Sequence, residues 1–304
     1  MPILQDTRRM RCMEVWGGNT RSIAQLETTG LDVWITSQPE GGSHTGGDVY
    51  YVSSCASGRI TRVLLADVSG HGELVSASAV RLRDLMRRNV NRINHRRFVS
   101  AMNGQFAEAG GGRFATAIVS SFFAPTRSLA LCNAGHPPPL IFRVADSTWS
   151  KLDPSHVAFR ESGTRLADLP FGVVADTVYN EYSTRLETGD LILSYTDAFS
   201  EAEAADGTML GVEGFFSVVC SIPTSPITEF LPRLTQSLQT LHADNLSRDD
   251  ATMLLLRANG KRSSARDNVL APFRLLGKVA DASHIAQPSP APRSHAASDV
   301  TTTP

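Results

Sequence analysis

The stretch LLADVSGHGELVSASAV, residues 64–80, decides the fold of this chain. It begins as a short apolar run that ends at Asp67 and continues as a turn with two glycines. A helix-like pattern of apolar residues then extends from Glu73 to Val90. This pattern predicts a strand, a loop and a helix in succession, with an aspartate at the start of the loop. Loops held by a rigid scaffold are where ligand-binding residues usually lie.

Three more aspartates lie in a similar setting, beside a strand-like apolar run and a turn. They are Asp48 in HTGGDVYYV, Asp197 in LILSYTDAFSEA and Asp249 in SRDDATMLLLR. A single aspartate after a strand is most often a helix cap or a turn former. Four of them, two beside glycines that allow close backbone approach, favour a site for hard cations such as Mg²⁺ or Mn²⁺. Asp249 also adjoins Asp250, and neighbouring carboxylates repel each other without a cation.

The composition is that of a globular protein, with 304 residues, a net charge of -1, and 41% hydrophobic and 19% charged residues. This near-neutral charge argues against a nucleic-acid partner bound through its phosphates. Seven arginines between Arg81 and Arg97 alternate with apolar residues at helical spacing. They predict the solvated face of a helix, and a docking surface for an acidic partner is the alternative.

The sequence predicts a cytoplasmic protein without membrane contact. No apolar stretch approaches 18 residues, and the N-terminus lacks the apolar core of a signal peptide. The four cysteines lie far apart without a CxxC pair, so neither a zinc site nor a disulfide framework is predicted.

Strand patterns on both sides of a helix pair at 73–109 predict an α+β fold, a layered sandwich of mainly antiparallel sheets. We expect an irregular segment over 1–22 and one domain over 23–260. Residues 261–304, rich in Pro, Ala, Ser and Thr towards their end, are expected to be a disordered tail.

Seven blocks of this sequence, in their order and spacing, resemble the SpoIIE-like phosphatases. These belong to the PPM class of metal-dependent serine/threonine protein phosphatases. The resemblance extends from about Leu31 to Arg257. The blocks are GGDVYYV, LLADVSGHGELVSASAV, FATAIVS, LCNAGHPPPLIF, LPFGV, LETGDLILSYTDAFSEA and SRDDATMLLLR.

The resemblance implies a four-layer α/β/β/α sandwich with a binuclear Mn²⁺ or Mg²⁺ site at one end. Asp67 is implied to bridge the two ions, and Asp48 to lie near the second ion, where it can act through water. We favour Asp249 over Asp250 as a ligand, with Asp250 as a further ligand or a structural residue. The full implied ligand set is Asp48, Asp67, Val68 through its carbonyl, Asp197 and Asp249.

The resemblance also implies the reaction and its partners. Two ions sharing Asp67 would lower the pKa of a bridging water, and the resulting hydroxide would attack the phosphorus of phosphoserine or phosphothreonine. The implied substrate is a phosphorylated regulatory protein, such as an anti-sigma-factor antagonist in a partner-switching pathway. An activator protein is implied to dock on the helix pair at 73–109, and homodimer formation is left open.

Two alternatives remain open at this point. One is a catalytically silent, phosphatase-like module that sequesters a signalling partner, and the other is a metal hydrolase for small phosphoesters. His71 and His136 are interpreted as supporting or structural residues rather than ligands. Ser69 lacks the strand–nucleophile–helix elbow of serine hydrolases. Ala198 stands where the family commonly has glycine, which predicts a small change of local backbone geometry.

Overall fold

The computed structural model describes residues 7–10, 14–55, 58–70, 73–90, 92–108, 112–153, 158–160, 166–262 and 280–284. These residues form two β-sheets covered by four α-helices. The helices are α1 (Glu73–Asn89), α2 (His95–Glu108), α3 (Gly211–Ser221) and α4 (Phe230–Leu241). None of the described helices is both long and apolar enough to cross a membrane.

The first sheet has seven strands. In spatial order they are β1 (Arg8–Arg9), β3 (Ser22–Glu27), β4 (Leu31–Gln38), β14 (Ala251–Ala258), β13 (Leu191–Tyr195), β9 (Leu140–Arg143) and β10 (Thr148–Lys151). All neighbours are antiparallel except β1 and β3.

The second sheet has eight strands. In spatial order they are β11 (Ala158–Arg160), β12 (Glu181–Arg185), β8 (Ser128–Ala134), β7 (Ala115–Phe123), β6 (Ile60–Val68), β5 (Thr45–Cys55), β2 (Glu14–Thr20) and β15 (Ala280–His284). All neighbours are antiparallel except β2 and β15.

The central strands are apolar on both faces because both faces are covered. On β5 and β6, Val49, Tyr51 and Leu64 pack in the core beneath α1 and α2. Tyr50 and Leu65 point the other way, into the core between the two sheets. Alternate residues of a strand face opposite sides, so a strand buried on both sides reads as a nearly continuous apolar run.

A third core lies between the first sheet and the helices α3 and α4. Phe215 of α3 packs on Tyr195 at the end of β13, with ring centroids 4.3 Å apart, and Leu234 of α4 is buried in the same cluster. Helices, sheet, sheet and helices thus form the four layers that the resemblance implied, which confirms the predicted fold class.

Two segments that were predicted to lack regular structure contain strands. Residues 14–20 are not irregular but form β2, where Gly17 has a φ of 139° and a Cβ atom would lie 2.0 Å from the Tyr50 carbonyl oxygen. Residues 280–284 of the predicted tail form β15, which pairs with β2. The prediction of a disordered tail also covers the segments 263–279 and 285–304, which lie outside the described residues.

Candidate metal centre

Asp48 and Asp67 face each other at one end of the sandwich because they occupy paired positions on β5 and β6. Asp67 is also paired with Thr116 on its other neighbour, β7. In the first sheet, β13 ends just before Thr196, whose N–H donates to the Thr252 carbonyl on β14 at 3.1 Å. The end of β13 and the start of β14 therefore lie side by side at the same end of the first sheet, as expected for antiparallel neighbours.

A hydrogen bond joins the two sheets at this end of the sandwich. The Thr196 hydroxyl donates to Asp48 Oδ2 at 2.9 Å. Asp197 follows directly, at the start of a 3-10 turn that ends at Phe199, and Asp249 lies two residues before β14. The four predicted aspartates are thus brought to the same end of the sandwich.

The Asp67 carboxyl lies within the electrostatic field of several other carboxylates. Burial, followed by the charges of Asp197, Asp249, Asp250 and Glu201, raises the pKa of Asp67 to about 7. Burial also raises the pKa of Asp249, and Asp197 adds to that effect. A carboxylate whose pKa is raised by burial and by neighbouring negative charges is stabilised in its charged form by a nearby cation.

Asp48 is the most deeply buried of the four, with 3% of its surface exposed. Burial raises the pKa of Asp48 well above its usual value, and the facing charge of Asp67 raises it further. Hydrogen bonds from Thr252 and Thr196 oppose this shift in part. A buried carboxylate of this kind requires either a proton or a compensating positive charge.

Gly47 leaves space for three oxygen atoms beside these carboxylates. A Cβ atom at Gly47 would lie 3.1 Å from the Val68 carbonyl oxygen, 3.3 Å from Asp250 Oδ2 and 3.4 Å from Asp67 Oδ1. Two of the groups predicted to bind ions, the Val68 carbonyl and the Asp67 carboxylate, therefore border the same small space. A larger residue at position 47 would occupy it.

The adjacent Asp249 and Asp250 have different surroundings. Asp250 accepts the Glu40 N–H at 2.7 Å through Oδ1 and the Gly47 N–H through Oδ2, so both of its oxygens bind backbone. Asp249 accepts only the N–H of Asp250, at 2.7 Å, among the hydrogen bonds of the described residues. The Asp249 carboxylate therefore has fewer hydrogen bonds and more capacity to bind an ion, whereas the Asp250 carboxylate holds the loop before β5.

His136 is held in place by neighbouring groups. Its Nδ1 lies 2.8 Å from the Thr116 hydroxyl, and its backbone exchanges hydrogen bonds with the Asn133 side chain. Burial lowers the pKa of His136 to about 3, so the ring is neutral at physiological pH. These contacts agree with a structural role. Ser69 binds backbone through both N–H and hydroxyl, and His71 lies outside the described residues.

Two features of this end of the molecule, Glu201 and the contact of Thr196 with Asp48, were not predicted. The charge of Glu201 raises the pKa of Asp67, and the Glu201 N–H donates to the Asp197 carbonyl at 2.8 Å. The spacing of four residues between Asp197 and Glu201 was a signal that could have identified it. Thr196 binds Asp48 across the sheets, a contact that no local pattern encodes. The change of local backbone geometry predicted at Ala198 is not required, because Ala198 lies inside the 3-10 turn and has no positive φ.

The donor chemistry of this site fits hard divalent cations. Aspartate carboxylates and a backbone carbonyl are the oxygen ligands that Mg²⁺ and Mn²⁺ prefer. Within the described part of the chain, no three His, Cys, Asp or Glu side chains are already gathered into a closed cluster for an ion. The fit therefore rests on the position of the four aspartates at one end of the sandwich, the raised pKa values of Asp48, Asp67 and Asp249, and the space beside Gly47.

We expect the metal-free protein to lose stability as the pH rises from about 4 to about 7. The pKa of Asp67 is about 7 in the folded state against 3.8 for the ordinary group. Below the ordinary pKa both states are protonated. Between the two values the unfolded chain releases a proton that the folded one retains, so the free energy of unfolding falls until the folded pKa is passed.

Thermal unfolding with a chelator at several pH values measures this effect. Asp48 and Asp249 act in the same direction, since their pKa values are also raised. The Asp67→Asn variant is the control and should show a shallower decrease. Equal pH dependence in wild type and variant would contradict the prediction.

Comparison with known families gives a match over most of the chain. The family model described as Stage II sporulation protein E (SpoIIE) matches residues 57–259. This segment includes three of the four aspartates described above and the whole of the helix pair α1–α2.

Solved structures with the same fold include phosphatase domains of bacterial regulators. The RsbU and RsbW domains of Rv1364c from Mycobacterium tuberculosis share 22% identity, over 82% of this chain and 63% of that one, with a TM-score of 0.62. The PP2C phosphatase domain, with a regulatory fragment, of SpoIIE from Bacillus subtilis shares 16%, over 75% and 63%, at 0.61. RsbX in complex with magnesium shares 17%, over 78% and 99%, at 0.55. The chain thus spans under two thirds of the first two structures, and these likenesses support the fold.

Proposed function

The chain belongs to the SpoIIE family of PP2C-type phosphatases, and from that membership we propose that it is a metal-dependent protein serine/threonine phosphatase. It would hydrolyse phosphoserine or phosphothreonine on a regulatory protein and release inorganic phosphate. The proposed ligands of two Mn²⁺ or Mg²⁺ ions are Asp48, Asp67, Val68 through its carbonyl, Asp197 and Asp249.

One observation carries this proposal. Asp67 is paired with Asp48 on the neighbouring strand and lies in the field of Asp197 and Asp249 from the other sheet. Asp67 thus has a carboxylate opposite it in its own sheet and two more within electrostatic reach from the other sheet, which is the arrangement that a bridging ligand needs. The Val68 carbonyl, next in the chain, borders the same space beside Gly47.

The chain's residues would bind and orient the ions rather than form a covalent intermediate. A bound pair of divalent ions supplies an activated water and offsets charge on the phosphoryl oxygens. Asp67 would serve as a ligand of both ions, and Asp197 and Asp249 would hold one of them. Asp250 would support the site without binding an ion, because its bonds to the Glu40 and Gly47 N–H groups fix the loop before β5 and the start of that strand.

A protein substrate and a protein activator fit this proposal. The similar structures include RsbU, RsbW and stressosome proteins, so we propose a partner-switching pathway with a phosphorylated anti-sigma-factor antagonist as substrate. The helix pair α1–α2 would receive the activator. A contact links this helix pair to the metal centre. Arg62, on the strand that ends in Asp67 and Val68, donates to the Arg92 carbonyl in the α1–α2 connection. A cytoplasmic location and a homodimer remain predictions.

Phosphate release in the presence of Mn²⁺ or Mg²⁺ tests the function. We expect release from a phosphoserine protein to exceed release from ATP or p-nitrophenyl phosphate, and a chelator to abolish it reversibly. Equal activity on nucleotides would favour the small-phosphoester hydrolase. An inactive wild type that binds no Mn²⁺ by calorimetry would favour the silent module that sequesters a partner.

A further inference from the structure

The hydroxyl of Thr196 lies at a junction between the two sheets. It donates to Asp48 Oδ2 at 2.9 Å and accepts the Thr252 N–H at 3.0 Å. Thr196 is fully buried, with 0% of its surface exposed. The next residue in the chain is Asp197. The side chain of Thr196 therefore contacts the Asp48 carboxylate of the second sheet. Its backbone leads directly into the turn that contains the Asp197 carboxylate.

The chain of hydrogen bonds continues through the first sheet. The Thr252 hydroxyl lies 2.9 Å from the Ser37 hydroxyl on β4, and both residues are buried. Thr252 is three residues after Asp249, on the strand that follows it. Hydroxyl and amide groups thus connect β4, β14 and the end of β13 to Asp48 on β5, entirely inside the protein.

Buried surroundings give this hydrogen bond its importance. Asp48 is 3% exposed, so its rotation must be fixed by protein groups rather than by bulk water. A hydrogen bond to a charged carboxylate is stronger than one between two neutral groups. The β-branched side chain of threonine also has restricted χ1 rotation. Thr196 can therefore present its hydroxyl in one fixed direction.

We propose that Thr196 is a positioning residue of the metal centre, whose hydroxyl sets Asp48, Asp197 and the strand after Asp249 in register with one another. This inference rests on the proposed function. It adds that the two sheets are aligned for ion binding by a residue that is not itself a ligand. Removing the hydroxyl should weaken the binding of both ions, although every carboxylate is still present.

The test compares Thr196→Val with Thr196→Ser, using Mn²⁺ alone as the probe. We expect Thr196→Val to bind Mn²⁺ about tenfold more weakly by calorimetry. It should also lose the electron paramagnetic resonance spectrum of two spin-coupled Mn²⁺ ions. Thr196→Ser, which restores the donor, should stay within about threefold of wild type. The matched control is Thr61→Val, because Thr61 is 1% exposed and its hydroxyl donates to Thr28 at 3.1 Å. It lies at the other end of β6, so Mn²⁺ affinity should be unchanged.

The outcomes separate this proposal from the function on which it rests. If Thr196→Val binds Mn²⁺ like wild type while both are folded and the wild type is active, the positioning role is wrong and the phosphatase stands. If the wild type itself neither binds Mn²⁺ nor releases phosphate, both proposals fail. Should Thr196→Val not fold, Thr196→Ala provides the same comparison with less side-chain volume to accommodate.

Discussion

Replacing Asp67 with asparagine is expected to lower Mn²⁺-dependent phosphate release about a thousandfold or more, equivalent to about 4 kcal/mol of transition-state stabilisation. Asparagine keeps the size of the side chain but removes the charge that both ions would share. The fold should survive, because the metal-free protein loses a carboxylate that repels Asp197 and Asp249. We therefore expect the melting temperature of the metal-free variant to equal or exceed that of the wild type.

The measurement is phosphate release from a phosphoserine protein over a range of Mn²⁺ concentrations, with thermal unfolding in parallel. Asp146→Asn is the control, since Asp146 is exposed in the turn between β9 and β10, away from the metal centre. Its activity should match the wild type. Asp67→Asn activity above about a tenth of wild type would rule out a bridging role.

The neighbouring aspartates 249 and 250 should give opposite phenotypes. Asp249→Asn is expected to lower activity about a hundredfold or more and to leave stability unchanged or slightly higher, because a repelling charge is lost. Asp250→Asn should instead destabilise the fold by about 1–3 kcal/mol. Asparagine has one acceptor oxygen, so its amide group would face one of the N–H donors of Glu40 and Gly47.

Thermal unfolding with a chelator isolates the stability effect, at about 2–4 °C for each kcal/mol in a domain of this size. Activity at saturating Mn²⁺, well below either melting temperature, isolates the effect on ion binding. The assignment of Asp249 as the ligand would be reversed if Asp250→Asn were the inactive but stable variant.

The parts of the fold that were predictable depend on local pattern. Strands β5 and β6 read as apolar runs because both faces are buried, and α1 has clear helical spacing. Strand β2 has the sequence EVWGGNT, where glycine weakens any strand signal. It is a strand because Gly17 allows the Tyr50 carbonyl to come close, a tertiary condition. Helix α3 contains two glycines, and packing of Phe215 on Tyr195 supports it instead.

The same distinction holds for the metal centre. The four aspartates could be identified because each stands at the end of a strand-like run, and the family resemblance ordered them. The separate surroundings of Asp249 and Asp250 could not be predicted, since they depend on where the loop before β5 meets the start of β14. The Thr196–Asp48 bond likewise exists only when the two sheets are stacked.

The topology also determines when each part of this end of the protein can form during synthesis. Asp48 and Asp67 lie on one hairpin, β5–β6, which the ribosome completes early, whereas Thr196 and Asp249 are made after most of both sheets. Chains are synthesised from the N-terminus, so a nascent chain holds two facing carboxylates before their partners exist. The last pairing, β15 on β2, joins Ala280 to Glu14. Ion binding by the full donor set therefore requires synthesis as far as Asp249, and a chain that stops before β13 offers only Asp48, Asp67 and the Val68 carbonyl.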